Sequence, residues 1–301
     1  MKKNVMKPNR NPRRVLKQVL MSGAAVALMA GAVSSAFALG IIDTKHNLSS
    51  ANLSTQANSF SGTTEVCVFC HTPHGADNTA AVPLWNRSLG SKGAAYQTYD
   101  TLGTATLNGA VLPVGSVSIA CLSCHDGTQA MNTMINQPGG GWGNTDAMTN
   151  GGWASSPNAT DLAGTWTGTG QLNSDPTDVV WIGTDLRNDH PVGIEYCGGG
   201  LTGSAAAVTG TCANPDFVMP VTKAINGKQV FWVDTSAGTA NKREKTDIML
   251  YTRDFTSVGG TSAIEPSVEC ASCHDPHTAA QPTFLRVSNS ASGVCLSCHV
   301  K

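Results

Sequence analysis

Cys270-Ala271-Ser272-Cys273-His274-Asp275-Pro276-His277, near the C-terminus, decides the reading of this chain. Its first five residues follow the pattern Cys-x-x-Cys-His. Three more copies stand at Cys67-Val68-Phe69-Cys70-His71, Cys121-Leu122-Ser123-Cys124-His125 and Cys295-Leu296-Ser297-Cys298-His299. In one turn of helix, residues i and i+3 share a face. Two thiols at that spacing can hold one porphyrin through two thioethers, and the next residue, histidine, reaches the iron from beneath. The pattern predicts four covalently attached haem c groups. Cys67, Cys70, Cys121, Cys124, Cys270, Cys273, Cys295 and Cys298 would be the attachment points, and His71, His125, His274 and His299 the proximal iron ligands. Zinc also uses Cys-x-x-Cys pairs, but it does not require a histidine directly after the second cysteine four times over. Thioredoxin-like redox motifs need a βαβ setting, and none is visible.

The chain has eight histidines. With four proximal, four remain: His46, His74, His190 and His277. Four six-coordinate irons with imidazole on both faces need eight, so the count predicts bis-histidine ligation throughout. His71-Thr72-Pro73-His74 and His274-Asp275-Pro276-His277 repeat one context. A histidine three residues beyond the proximal one cannot easily wrap to the far face of its own ring, but it can reach a second iron nearby. His190 is flanked by Asp189 and Pro191, and the Asp189 carboxylate is a natural partner for its other ring nitrogen. His46 lies close to the mature N-terminus, an end expected to be exposed. It ligates a haem of its own chain or one of a neighbouring chain, and the count is met either way. Methionine ligation is not needed. Cys197 and Cys212 are left over, and a disulfide closing the Gly/Ala/Thr-rich loop between them is expected.

The first eighteen residues hold seven bases and no acid, and an apolar run follows that ends in Ala36-Phe37-Ala38. This reads as a cleavable signal peptide over 1–38. Arg13-Arg14 has a twin-arginine look, but covalent haem is expected to be added after export of an unfolded chain. No further span of membrane length follows. The remaining chain has 12 bases against 20 acids, a net charge of −8. That argues against nucleic acid and anionic membrane as partners and suits cationic ones. A secreted location is expected, extracellular or at the cell surface, with the periplasm as the alternative.

Residues 39–130 form an N-terminal dihaem region and 261–301 a C-terminal one. Between them, 131–260 is rich in Gly, Thr and Asn, with Gly139-Gly140-Gly141, Gly151-Gly152 and Gly198-Gly199-Gly200 as loop signals. Trp142, Trp153, Trp166 and Trp181 make it more than a linker. The fold class predicted is a mostly irregular, haem-organised cytochrome c with short helices at the motifs and few short strands. Val230–Val233 and Ile248–Tyr251 are the strand candidates, possible partners of each other. With so little periodicity, the porphyrins are expected to supply the core. Covering on the order of 500 Å² of each ring would contribute roughly 12 kcal/mol. The chain without haem is then expected to be largely unfolded.

His46-Asn47-Leu48-Ser49, Cys67–His74, Pro83-Leu84-Trp85-Asn86-Arg87, Cys121-Leu122-Ser123-Cys124-His125-Asp126-Gly127, Asp189-His190-Pro191 and Cys270–His277 together resemble the multihaem cytochromes of metal-respiring bacteria. Among these they look most like the outer-surface tetrahaem type that polymerises into cytochrome nanowires, the OmcE type. The resemblance implies a homopolymer with a continuous haem chain, redox proteins or extracellular metal oxides as partners, and an axial histidine supplied across the subunit interface, with His46 in that role. The 130–215 region is longer and more divergent than the family pattern. Irons saturated on both faces have no position for substrate. The chain is therefore expected to conduct electrons and not to be an enzyme. A monomeric periplasmic shuttle is the nearest alternative. An oxyanion reductase would follow if His46, His74, His190 or His277 were not a ligand.

Overall fold

The computed structural model describes residues 40–51, 59–60, 63–89, 96–104, 106–129, 134–136, 153–154, 171–172, 180–204, 206–235, 238–260 and 262–300. All belong to the unit Leu39–Lys301. The signal-peptide reading of 1–38 lies outside the described residues, as do Met131, Met148, Trp142, Trp166 and the glycine runs at 139–141 and 151–152. Among the described residues no helix is long and apolar enough to cross a membrane.

Regular structure is sparse, as expected. In chain order the elements are β1 (Ser59–Phe60), α1 (Ser118–His125), β2 (Trp153–Ala154), β3 (Ile194–Glu195), β4 (Leu201–Gly203), β5 (Val208–Gly210), β6 (Val221–Ile225), β7 (Lys228–Val233), β8 (Ile248–Arg253), β9 (Glu265–Val268), α2 (Cys270–Cys273) and α3 (Gly293–Cys298), with several single 3-10 turns between them. Five strands form one antiparallel sheet in the order β3-β9-β8-β7-β6. The two strands expected from sequence are β7 and β8, and they do pair, with Phe231 opposite Leu250, Trp232 opposite Met249 and Val233 opposite Ile248.

The sequence reading did not find β6, although its signal was present. Asn226-Gly227 joins β6 to β7 with both residues left-handed, φ 49° and 72°. This is the two-residue turn whose twist matches a hairpin, and Asn-Gly is its strongest marker. The sheet also runs across the 260/261 division, since β9 pairs with both β8 and β3.

The expectation that porphyrins alone supply a core needs correction. Tyr196, Leu201, Phe231, Val233, Ile248, Leu250 and Val268 form one buried cluster, with Phe217 and Cys298 packed against it. Trp85, Leu89, Tyr96, Val114, Ile119, Leu122 and Leu186 form a second, and Cys70 packs on that one. Short apolar strands scattered among glycine- and threonine-rich loops bury little locally. They gather only through long-range pairing, which a window along the sequence does not register. Cys197 and Cys212 are joined in a disulfide, closing the 15-residue span that carries β4 and β5.

Candidate functional site

Each Cys-x-x-Cys-His lies on a helical turn, so its two sulfurs share a side. The second motif is inside α1, the third fills α2 and the fourth ends α3. The first is a single turn in which His71 N–H donates to the Cys67 carbonyl at 2.8 Å. The same closure recurs from His274 to Cys270, 3.2 Å, and from His299 to Cys295, 2.9 Å.

Three motifs are held by one repeated device, a short extended segment clasping the Cys-His pair. In the first, Thr72 N–H donates to the Leu84 carbonyl at 2.8 Å and Asn86 N–H to Cys70 at 2.9 Å. In the third, Asp275 N–H donates to Phe284 and Arg286 N–H to Cys273, both at 2.8 Å. In the fourth, Val300 N–H donates to Asp216 at 2.9 Å and Val218 N–H to Cys298 at 2.8 Å. The residue between the two bonds, Trp85, Leu285 or Phe217, bridges directly to the motif histidine.

Three of the four motif histidine rings are oriented by backbone oxygens. His71 Nδ1 lies 2.8 Å from the Pro83 carbonyl, His125 Nδ1 2.8 Å from Val180 and His274 Nδ1 2.7 Å from Thr283. A carbonyl only accepts, so each ring donates from Nδ1 and the neutral imidazole keeps its lone pair on Nε2. That is the arrangement of a metal-binding histidine with its ring fixed from behind. These three carbonyls, and the clasps that place them, were not found from sequence. Pro83–Arg87 was singled out there only as part of a family likeness.

Of the other histidines, two lie against motif histidines. His46 is half-buried, stacked on Phe284 with ring centres 4.3 Å apart and planes 11° from parallel. Its Nδ1 is 3.4 Å from the Pro276 carbonyl. Its ring centre is 6.1 Å from that of His125 of the same chain. Burial first, then the neighbouring His125, lowers its pKa to about 4, so it is neutral at physiological pH. The N-terminal residue expected to be exposed is thus half-buried, because Asn47 and Ser49, both fully buried, pin its loop through their side chains.

His277 has its ring centre 6.2 Å from that of His71 and its Nδ1 3.3 Å from Asp275 Oδ1. His190 is disfavoured as a cation by burial and then by the nearby His299. Its Nδ1 faces the Pro191 carbonyl at 3.1 Å, not the Asp189 carboxylate suggested by sequence. Asp189 is instead engaged through its backbone carbonyl, which accepts from the Tyr99 hydroxyl. His299 packs on Phe217, ring centres 4.4 Å apart. His74 is exposed, its carbonyl accepting from Thr72 Oγ1 and Asn136 Nδ2.

The attachment cysteines lie near one another across motifs. The Cys121 and Cys270 thiols share a hydrogen bond that, with burial, raises the pKa of Cys121. Burial pushes Cys70 and Cys298 up to about 12, so unreacted they stay neutral thiols. Between the second and third motifs sits Glu269, fully buried, which caps α2 in a reciprocal bond with Ser272. Its carboxylate accepts from Ser118 Oγ at 2.5 Å, Ser267 Oγ at 2.9 Å and Arg253 at 3.2 Å. Ser118 opens α1, so this one side chain fastens the helix of the second motif to that of the third.

Paired thiols on one helical face and imidazoles presenting Nε2 fit covalent haem with axial histidine. Residues 266–301, holding the last two motifs, match the family model described as a doubled CXXCH motif. The match covers a small part of the chain. It indicates covalently bound c-type haem and points to a multihaem cytochrome acting in electron transfer. None of the curated proteins compared matches the chain.

Proposed function

We propose that the protein is a tetrahaem electron conduit in which every iron is held between two imidazoles. The observation that carries this reading is the shared orientation of His71, His125 and His274, each donating Nδ1–H to a carbonyl and presenting Nε2. When bound, haem c supplies reversible one-electron chemistry at iron. The residues of the chain do the rest. Four cysteine pairs would hold the porphyrins, and the four motif histidines together with His46, His74, His190 and His277 would ligate the irons. With two imidazoles for every iron, no position would be open to a substrate, and the chain would carry electrons rather than catalyse a reaction. Cys70 and Cys298 each pack against an apolar cluster, which anchors the first and fourth turns to the body of the fold. Glu269 holds the second and third turns in a fixed relation.

The leader over 1–38 and the net charge of −8 beyond it support export and docking to cationic redox partners or metal oxides. The family likeness supports self-assembly into a filament outside the cell. The proximity of His46 to His125 favours ligation within its own chain over donation to a neighbour.

The experiment is intact-mass and spectroscopic analysis of the purified holoprotein. Four haem additions and a wholly low-spin oxidised spectrum are expected. Fewer additions, or a high-spin iron, would overturn the conduit reading in favour of catalysis. Electron microscopy of secreted material tests the polymer. Single particles without filaments would leave a monomeric shuttle.

A further inference from the structure

Two imidazoles on opposite sides of one iron have a set separation. A metal–nitrogen bond of about 2 Å and a further ~1.1 Å from nitrogen to ring centre, taken twice, put the ring centres about 6 Å apart. His71 and His277 are 6.2 Å apart, and His46 and His125 are 6.1 Å apart. An ordinary aromatic contact shares that distance; ligation needs, in addition, a ring nitrogen left over on each histidine. In both pairs each Nδ1 is turned to an oxygen: Pro83 and Asp275 for the first pair, Pro276 and Val180 for the second. Nε2 remains on all four rings, as two ligands of a shared iron require.

We infer that the second axial ligands are exchanged between motifs: His277 serves the iron of the haem on Cys67 and Cys70, His46 that on Cys121 and Cys124, and His74 that on Cys270 and Cys273. The inference rests on the bis-imidazole reading and deepens it.

The His74 assignment follows from repetition. The first and third motifs share His-x-Pro-His, the same clasp bonds, the same Nδ1-to-carbonyl contact and the same left-handed residue, Leu84 or Phe284. If the third motif lends its second histidine to the first, two like units facing each other return the favour through His74. Each haem of this pair would then be bonded to both ends of the chain.

The test removes a ligand and, separately, the haem it is assigned to. In the full chain, His277→Ala is expected to convert one iron of four to high spin, read by electron paramagnetic resonance and magnetic circular dichroism, with four haems still attached by mass. In a chain also carrying Cys67→Ala and Cys70→Ala, the same substitution should add no high-spin iron, whereas His46→Ala still should. A new high-spin iron from His277→Ala in that background overturns the pairing and leaves bis-imidazole ligation standing. No high-spin iron from His277→Ala in the full chain overturns the bis-imidazole reading itself. Should the chain lacking that haem fail to accumulate, a cryo-electron microscopy map of wild-type holoprotein decides the point. A bond from His277 to the iron nearest Cys67 and Cys70 supports the pairing, and any other ligand there overturns it.

Discussion

Leu84 and Phe284 occupy equivalent places in the clasps of the first and third motifs, and both hold left-handed backbone, φ 58° and 61°. A side chain in that region costs about 1–2 kcal/mol. Glycine removes the clash and returns about 0.5–1 kcal/mol of that gain as lost chain entropy. Leu84 is 51% exposed, so truncating it forfeits little packing. Leu84→Gly should therefore stabilise the holoprotein by roughly 0.5 kcal/mol. Phe284→Gly gains the same backbone relief but loses a half-buried ring, worth about 1–2 kcal/mol. It also loses a stack on His46, worth about 0.5–1.5 kcal/mol. Its net effect is a loss of about 2 kcal/mol, or a fall of about 4–8 °C in Tm for a chain of this size. Thermal and urea unfolding followed by far-ultraviolet circular dichroism measures both variants side by side. The strain argument fails if Leu84→Gly loses more than about 1 kcal/mol. The stacking argument fails if the two variants behave alike.

Replacing Cys197 and Cys212 by alanine should cost about 3 kcal/mol through the freed 15-residue loop while leaving the haem count by mass unchanged. The Glu269 carboxyl is held above its ordinary range, by burial first, against the opposing pull of Arg253. A raised folded-state value means that its contribution to stability is complete below the unfolded value, near 4.5, and is lost as pH rises through the folded one. Glu269→Gln should flatten that stretch of a stability–pH curve, and an unchanged slope would remove the carboxyl from the account. Amide exchange on chain made without haem should protect β7 and β8 more than the clasps at 83–86 and 283–286, because Phe231, Val233, Ile248 and Leu250 are buried in their own cluster. Uniform lack of protection would restore the view that porphyrin is the whole core.

The chemistry of the site was legible in sequence because thioether attachment needs a fixed local spacing. Cys-x-x-Cys-His is self-contained within one turn, and the proposal of two imidazoles per iron comes from a count of histidines that needs no geometry. The disulfide was legible by elimination, and β7 and β8 by their density of aromatic and β-branched residues. What could not be read depends on backbone groups that carry no residue identity. The carbonyls of Pro83, Val180 and Thr283 orient the proximal rings, yet any residue supplies a carbonyl. Proline at 83 and threonine at 283 do the same work. The role of Glu269 was hidden for a different reason. A lone carboxylate before a motif says nothing until Ser118, far back in the chain, is brought to it by folding.

The clasp explains how one protein positions several cofactor sites with so little regular structure. A helix of four to eight residues is too short to hold its own direction. Two backbone hydrogen bonds from an antiparallel segment, one on each side of the motif histidine, fix that direction without a longer helix. The segment arrives after the motif at Leu84–Asn86 and Phe284–Arg286, but long before it at Asp216–Val218. Chain order is therefore immaterial to the device, and only the pairing matters. Among the described residues the second motif has no clasp of this form; it has instead the longest of the described helices, α1, and a bond from Ile182 N–H to the His125 carbonyl. Length of helix and presence of clasp thus trade against each other across the four motifs. That is the expected result if orienting the histidine, rather than forming helix, is what each site requires.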